Sequence, residues 1–261
     1  MSTNGDIRLF CVTHKDVPGL PDNGMVTPIL VGEAPSAIAL KVRDYYPELS
    51  RMNKTWNEME AVYYIWKQVH SPIKGQFQYG KHLGGLYGWT IRRWLRRKPV
   101  IASIEPLFED RHRTRPISLR DQYAVCHYLG DLDLCREIVL EKYPQWEGVW
   151  DRVMSGSRIL HGGSFVARSE DYDAYCAFVF PVLQEFLARR GFADMKAIEA
   201  FYEAHPTDNQ GNSYQTRVVG FLAERLFTFW VCARWGSLDA AVKNRPLIRT
   251  RLRKKQNFVT V

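Results

Sequence analysis

Asn57-Glu58-Met59-Glu60-Ala61-Val62-Tyr63-Tyr64-Ile65-Trp66-Lys67, followed after Ser71-Pro72 by Gly75-Gln76-Phe77-Gln78-Tyr79, is the stretch on which the fold turns. Met59, Val62, Tyr63, Trp66 and Val69 recur at i, i+3, i+4, i+7 and i+10, the stripe of a helix resting on a core. Asn57 and Glu60, three residues apart, have the spacing of a capping box, so the pattern predicts a helix that starts at Asn57. Residues 75–79 read as a brief strand, and Gly80, Gly84, Gly85 and Gly88 as an open loop behind it. A helix, a strand and a loop carrying Lys81 and His82 predict a small-molecule site.

Toward the N-terminus, residues 7–12 read as a buried strand that ends in His14 and Lys15, at the strand end where open α/β sheets bind ligands. Residues 16–28, with Pro18, Gly19, Pro21, Gly24 and Pro28, form a loop. Residues 27–31 follow as a second strand and 34–42 as a helix ending near Tyr45-Tyr46-Pro47. Lys54 then stands just before the central helix, whose N-terminus favours anions.

Toward the C-terminus, residues 100–104 have strand composition, and Ser118 with Asp121 opens a helix through Tyr123 and His127. Asp131-Leu132-Asp133 looks like the DxD of nucleotide-sugar enzymes, whose carboxylates hold a divalent ion such as Mn or Mg. Here it opens a helix, where capping and dipole compensation account for it, so no metal is expected and a divalent ion is the alternative. His161-Gly162-Gly163-Ser164 reads as a Gly-Gly turn that lets a ligand approach the backbone. Residues 171–190 form a long helix with Tyr172, Tyr175, Phe178, Val179 and Leu183 inward, and 205–213 are a polar candidate lid. The helix from Tyr214 through Trp230 is apolar except for Arg217, Glu224 and Arg225. Buried charge is costly unless paired, so these residues are either a structural ion pair or catalytic.

The composition, 46% hydrophobic and 25% charged over 261 residues, is that of a globular chain of one domain. No signal peptide or apolar run of about 20 residues is found, and the five cysteines lack metal or disulfide spacing, which predicts a cytoplasmic protein with reduced thiols. The net charge of +8 is clustered at 92–98, 111–115 and 249–255 and points to an anionic partner. Tyr87, Trp89 and Trp94 alternate with Arg92, Arg93, Arg96 and Arg97, a pattern shared by single-stranded nucleic-acid binders and by helices lying on lipid headgroups.

Several motifs in one order resemble a family of bacterial capsule and O-antigen glycosyltransferases long catalogued as a domain of unknown function, some members of which are galactofuranosyltransferases. They are Phe10-Cys11-Val12-Thr13-His14-Lys15, the 57–67 segment, Gln122-Tyr123 with His127, Asp131-Leu132-Asp133-Leu134, Tyr175-Cys176 and the run from Arg217 to Leu226. Where members carry a His-Tyr-Arg-Arg-Tyr run, this chain has Gln78-Tyr79-Gly80-Lys81-His82. Tyr79 matches directly, Lys81 keeps a positive charge and His82 an imidazole one position beyond.

The resemblance implies an α/β, GT-A-like fold: a central, mostly parallel sheet flanked by helices, with a helix-rich C-terminal part. It implies a nucleotide-sugar-binding half over 1–110, a helical acceptor side over 111–240 and a basic tail over 241–261. It also implies a UDP-sugar donor carrying galactofuranose or another hexose, and a glycan or lipid-linked acceptor. Lys54, Lys81, His82 and Arg217 are the expected diphosphate contacts, able to neutralise the leaving UDP without a metal. His14, Asn57 and Glu58 are expected to hold the nucleoside or donor sugar. Lys15, Tyr79, His127, Gly162, Gly163, Ser164 and Arg225 complete the substrate-binding set. Glu224 is the expected general base, with Asp133 in reserve. An acceptor on a lipid carrier implies peripheral attachment to the inner face of the inner membrane. The alternatives are a basic nucleic-acid-binding protein and an inactive scaffold of a polysaccharide assembly complex.

Overall fold

A computed structural model of the chain describes residues 6–109, 112–207 and 212–249. Eight strands form one sheet: β1 (Ile7–Thr13), β2 (Val26–Leu30), β3 (Ile73–Gln78), β4 (Lys81–Leu83), β5 (Val100–Pro106), β6 (Arg158–Arg168), β7 (Val242–Asn244) and β8 (Leu247–Arg249). The order is β2-β1-β3-β6-β5-β7, with β4 pairing β3 and β8 at one end. β4 and β6 run against the other six strands, so the sheet is mixed but mostly parallel in direction.

The helices are α1 (Pro47–Arg51), α2 (Asn53–Trp56), α3 (Met59–Gln68), α4 (Gly88–Leu95), α5 (Leu119–Cys126), α6 (Leu129–Lys142), α7 (Glu147–Met154), α8 (Ser169–Arg189), α9 (Met195–Ala204), α10 (Asn212–Gln215), α11 (Val218–Trp235) and α12 (Leu238–Ala241). The two-residue period of β1 divides them between the sheet faces. Phe10 and Val12 join a large core with α3, α6, α8 and α11, in which Trp66 stacks on Phe180 at 5.5 Å. Leu9 and Cys11 face a smaller core closed by Ile91 and Leu95 of α4. Thr228 of α11 accepts the Leu160 N–H of β6 at 2.9 Å, fixing that helix against the sheet.

Several expectations from the sequence are corrected here. The central helix starts at Met59, and Asn57 does not cap it but ends α2: its φ is 50°, and its side-chain amide donates to the Thr55 carbonyl at 3.1 Å. Glu60 is fully buried and turned inward, accepting the Gly32 N–H at 3.1 Å, the Asn53 amide at 2.6 Å and the Ser50 hydroxyl. Burial pushes its pKa up, and those three donors pull it back down. This carboxylate ties the end of β2 to α1, α2 and α3, whereas a capping partner would have served the helix alone.

Residues 34–40 are not helical, because Asp16 holds them as a loop by accepting from the Ser36 hydroxyl and the Ala37 N–H. The Gly-Gly turn is absent: Gly162 and Gly163 lie inside the eleven-residue β6. β7 and β8 take residues 242–249 out of the expected basic tail and into the sheet, and the rest of that tail lies outside the described residues. So do 208–211 of the candidate lid. The sheet also joins the expected parts, since β6 of the second half and β7 and β8 of the expected tail pair with strands of the first half.

Candidate active site at the carboxyl ends of β1 and β3

The turn after β1 is set by Thr13, whose hydroxyl donates to the Lys15 carbonyl at 2.6 Å and accepts the Lys15 N–H at 3.2 Å. The turn after β3 is set by the Tyr79 N–H, which donates to the Val12 carbonyl at 2.9 Å. Between these strand ends, the α2–α3 joint and the start of α11 lies a cleft of about 530 Å³. His14, Lys54, Asn57, Glu58, Tyr79, Lys81 and Arg217, all expected from the sequence, line it. So do Asn53, Gln78 and Arg249, which were not expected.

One wall is cationic, formed by Lys54, Lys81, Arg217 and Arg249. Arg217 is aimed by Asn57, whose side-chain carbonyl accepts its Nε–H at 3.1 Å. The unusual backbone at Asn57 brings that side chain against α11, where a Cβ on Gly220 would lie 2.9 Å from its amide nitrogen. A non-glycine residue at positive φ costs roughly 1–3 kcal/mol and persists only where its surroundings hold it. Lys54 is shared with Glu199 in an exposed pair at 2.9 Å. His14 meets Tyr79 edge-on at 5.6 Å. Burial lowers its pKa, with Lys15 and Arg217 adding to the effect, so near neutral pH it offers an uncharged imidazole.

The floor is acidic. Glu58 accepts from the Gln78 amide at 3.0 Å. Burial pushes its pKa up; its own backbone N–H pulls it down, Glu224 raises it again, and His161 and Arg217 lower it. Gly163 leaves room for this pair, since a Cβ at that position would stand 2.5 Å from Glu58 Oε1 and 2.7 Å from Gln78 Nε2 and push both side chains aside. Behind Glu58, Glu224 reaches His161 Nδ1 at 3.2 Å through one oxygen and Arg225 Nη1 at 3.3 Å through the other. A carboxyl group held near a second carboxylate, with its proton affinity raised, is suited to taking a proton near neutral pH.

The other expected residues fall elsewhere. Glu224 contacts His161 rather than lining the cleft. Lys15 lies outside the wall, its Nζ 5.9 Å from the Tyr79 ring centre. His82 lines a separate apolar cavity across the sheet, because β4 turns it to that side. Ser164 is buried in β6. Arg225 is buried over the Tyr123 ring at 5.1 Å and donates to Gln122 and to the Phe221 carbonyl. His127 is buried against Phe221 at 3.9 Å with Nδ1 on Gln215 at 3.1 Å; burial and Arg225 lower its pKa to about 4.

Asp133, the reserve base, bridges to Arg120 on the exposed surface, since the α6 turn carries it away from the sheet. Asp131 is buried between Arg190 at 3.0 Å and the Tyr202 hydroxyl at 2.6 Å. The Asp131-Leu132-Asp133 pair therefore does not converge on one point. Among the described residues no three His, Cys, Asp or Glu side chains are arranged to hold a metal ion. No helix among them is long and apolar enough to cross a membrane.

His161, Gln78, Asn53 and Arg249 are the residues that sequence reading missed. His161 directly precedes Gly162-Gly163, and a polar side chain beside consecutive glycines within a strand was the available signal.

The architecture is that of a glycosyltransferase fold. It is shared with a solved structure, the WbbM bifunctional glycosyltransferase in its apo form, at a TM-score of 0.69 and 16% sequence identity. The match covers 94% of this chain and 45% of that one, so the chain spans a little under half of that enzyme's length. The family model of a domain of unknown function, DUF4422, matches residues 8–234, and the chain belongs to that family. No curated protein matches it.

Proposed function

We propose that the chain transfers a hexosyl group, galactofuranose or a related hexose, from a UDP-sugar to a glycan or lipid-linked acceptor in bacterial surface polysaccharide synthesis. The observation that carries the reading is the charge of the cleft: its lining combines the cations Lys54, Lys81, Arg217 and Arg249, the wall, with a single carboxylate, Glu58. The wall suits a diphosphate leaving group, whose developing charge guanidinium and ammonium groups stabilise. The floor suits an acceptor hydroxyl that must lose a proton as it attacks the anomeric carbon.

In this reading the base is Glu58, which lines the cleft, and Glu224 supports it through charge. Arg217, aimed by Asn57, holds the diphosphate, and the uncharged His14 ring with Tyr79 bounds the nucleoside or sugar. The wall's cations act without a metal, so turnover is expected to survive EDTA. The test is release of UDP from UDP-galactofuranose, UDP-galactopyranose and UDP-glucose in the presence of acceptor saccharides. Acceptor-dependent release from one of them, lost in Glu58→Gln, supports the reading. Absence of release from all three, with no UDP binding, rejects it in favour of an inactive scaffold.

A further inference from the structure

The outer face of α4 is unlike the rest of the surface. Ile91 and Leu95 are buried against the small core, while Trp89, Arg92, Arg93 and Arg96 recur at i, i+3, i+4 and i+7 on the opposite side, with Arg97 next to them. Trp89 is 66% exposed and Tyr87, just before the helix, 65%, the two highest values among the large exposed apolar residues. The helix contains no acidic residue. Arg92 pairs with Asp6 at 3.9 Å, and Lys98 donates to the Asp239 and Ala240 carbonyls. Among the described residues, no carboxylate pairs with Arg93, Arg96 or Arg97.

Beneath Tyr87 opens an apolar cavity of about 380 Å³ lined by Leu9, Leu20, Val26, Phe77 and Leu86, so the apolar surface continues inward from the exposed rings. Tyr79 lines both this cavity and the cleft.

We infer that this face of α4 docks the protein on an anionic membrane surface. Trp and Tyr settle at headgroup level because their rings are amphipathic, and arginines pair with lipid phosphates. Docked in this way, Tyr87 and Trp89 enter the interface, the cavity receives acyl surface, and the shared Tyr79 wall holds the cleft close to the bilayer. A single-stranded nucleic acid fits less well. Stacking platforms set aromatics along a groove that tracks the strand, whereas here both rings cluster at one end of one helix beside an apolar cavity. The inference is independent of which sugar donor the cleft takes.

The test is flotation of the full chain with vesicles of phosphatidylcholine mixed with phosphatidylglycerol, against phosphatidylcholine alone. UDP-induced thermal stabilisation is read on the same preparations. Flotation is expected with the anionic vesicles only. Each arginine charge near such a surface contributes about a five-fold factor in partitioning, so Arg93→Gln/Arg96→Gln/Arg97→Gln is expected to bind on the order of 100-fold more weakly. Tyr87→Ser/Trp89→Ser is expected to lose flotation as well. Both variants change exposed side chains and should melt like the parent, with any UDP response unchanged, so a failure here is distinct from a failure of the donor reading. No flotation of the parent overturns the inference. So does flotation unchanged in both variants, which would assign binding to the basic residues after Arg249. Binding to a single-stranded oligonucleotide, but not to vesicles, that is lost in the arginine variant would replace it with nucleic-acid recognition.

Discussion

Two places in this molecule bring histidine, carboxylate and arginine together. At the cleft floor, Glu58, Glu224 and His161 are only partly covered, and Glu58 borders open space. Beneath it, His127 with Gln215 and Arg225, and Asp131 with Arg190 and Tyr202, are closed off and meet partners within the protein. The same residue types are arranged for different ends. Buried hydrogen bonds and ion pairs tie α5 to α11 and α6 to α9, whereas a raised carboxyl facing a cavity can take a proton from a substrate. The family motifs include residues of both kinds, and burial separates them.

The largest expected effect lies at the cleft. Glu58→Gln removes the base, and turnover should fall by roughly 10²–10⁴ while UDP still raises the melting temperature. His127→Gln, in the buried cluster, should leave kcat/KM within a few-fold; an equal collapse of turnover in both would erase the distinction between the two sites.

The next effect belongs to the buried cluster and is read as a stability slope. His127 has a folded-state pKa of about 4 against the ordinary 6.5, so its contribution is complete above pH 6.5 and is lost as pH falls toward 4. Burial raises the Asp131 pKa from 3.8 to about 6, so its contribution is complete below pH 3.8 and is lost as pH rises through 6. Each amounts to ~3 kcal/mol, with opposite sign over nearly the same window, so the parent should show little net slope from these two groups. His127→Gln should then lose stability as pH rises from 4 to 6, and Asp131→Asn should gain it. Chemical denaturation at several pH values measures both, and identical slopes in the two variants would contradict the opposition.

Gly163→Ala comes third. Its Cβ would meet the ends of the Glu58 and Gln78 side chains, which must swing aside, so turnover should fall while stability changes by about 1 kcal/mol or less. The smallest effect is in Glu224→Gln. Removing the neighbouring negative charge lowers the proton affinity of Glu58, so the acid limb of the kcat/KM profile should move to lower pH. An unmoved limb would separate the two carboxylates.

Much of the frame was legible in the sequence because it obeys short-range rules. The apolar run of β1, the apolar stripe of α3 and the Ser118 cap, whose hydroxyl accepts the Asp121 N–H at 3.0 Å, are local signals, and the structure carries all three. Glu60 was misread because its partners Gly32 and Ser50 lie far along the chain, and a three-residue spacing offered a nearer explanation. Gly163 was misread as a turn because a glycine that leaves room for opposing side chains looks the same in sequence as one required by φ. β7 and β8, at three residues each, are too short to show any period and exist only through their partners β5 and β4. At the site, residues at strand and helix ends were found, since topology places ligands there. His161 was not, because its role depends on α11, which is far away in sequence.

The central claim is that the cationic wall holds a nucleotide diphosphate, and thermal stabilisation by UDP, in parallel on the parent and on Arg217→Ala, tests it most directly. A ligand at about 100 times its Kd adds ~2.7 kcal/mol to apparent stability. The account predicts a saturable rise in melting temperature with UDP, preserved in EDTA, weaker with UMP and largely lost in Arg217→Ala. No rise with UDP in the parent, or an equal rise in the variant, would contradict it.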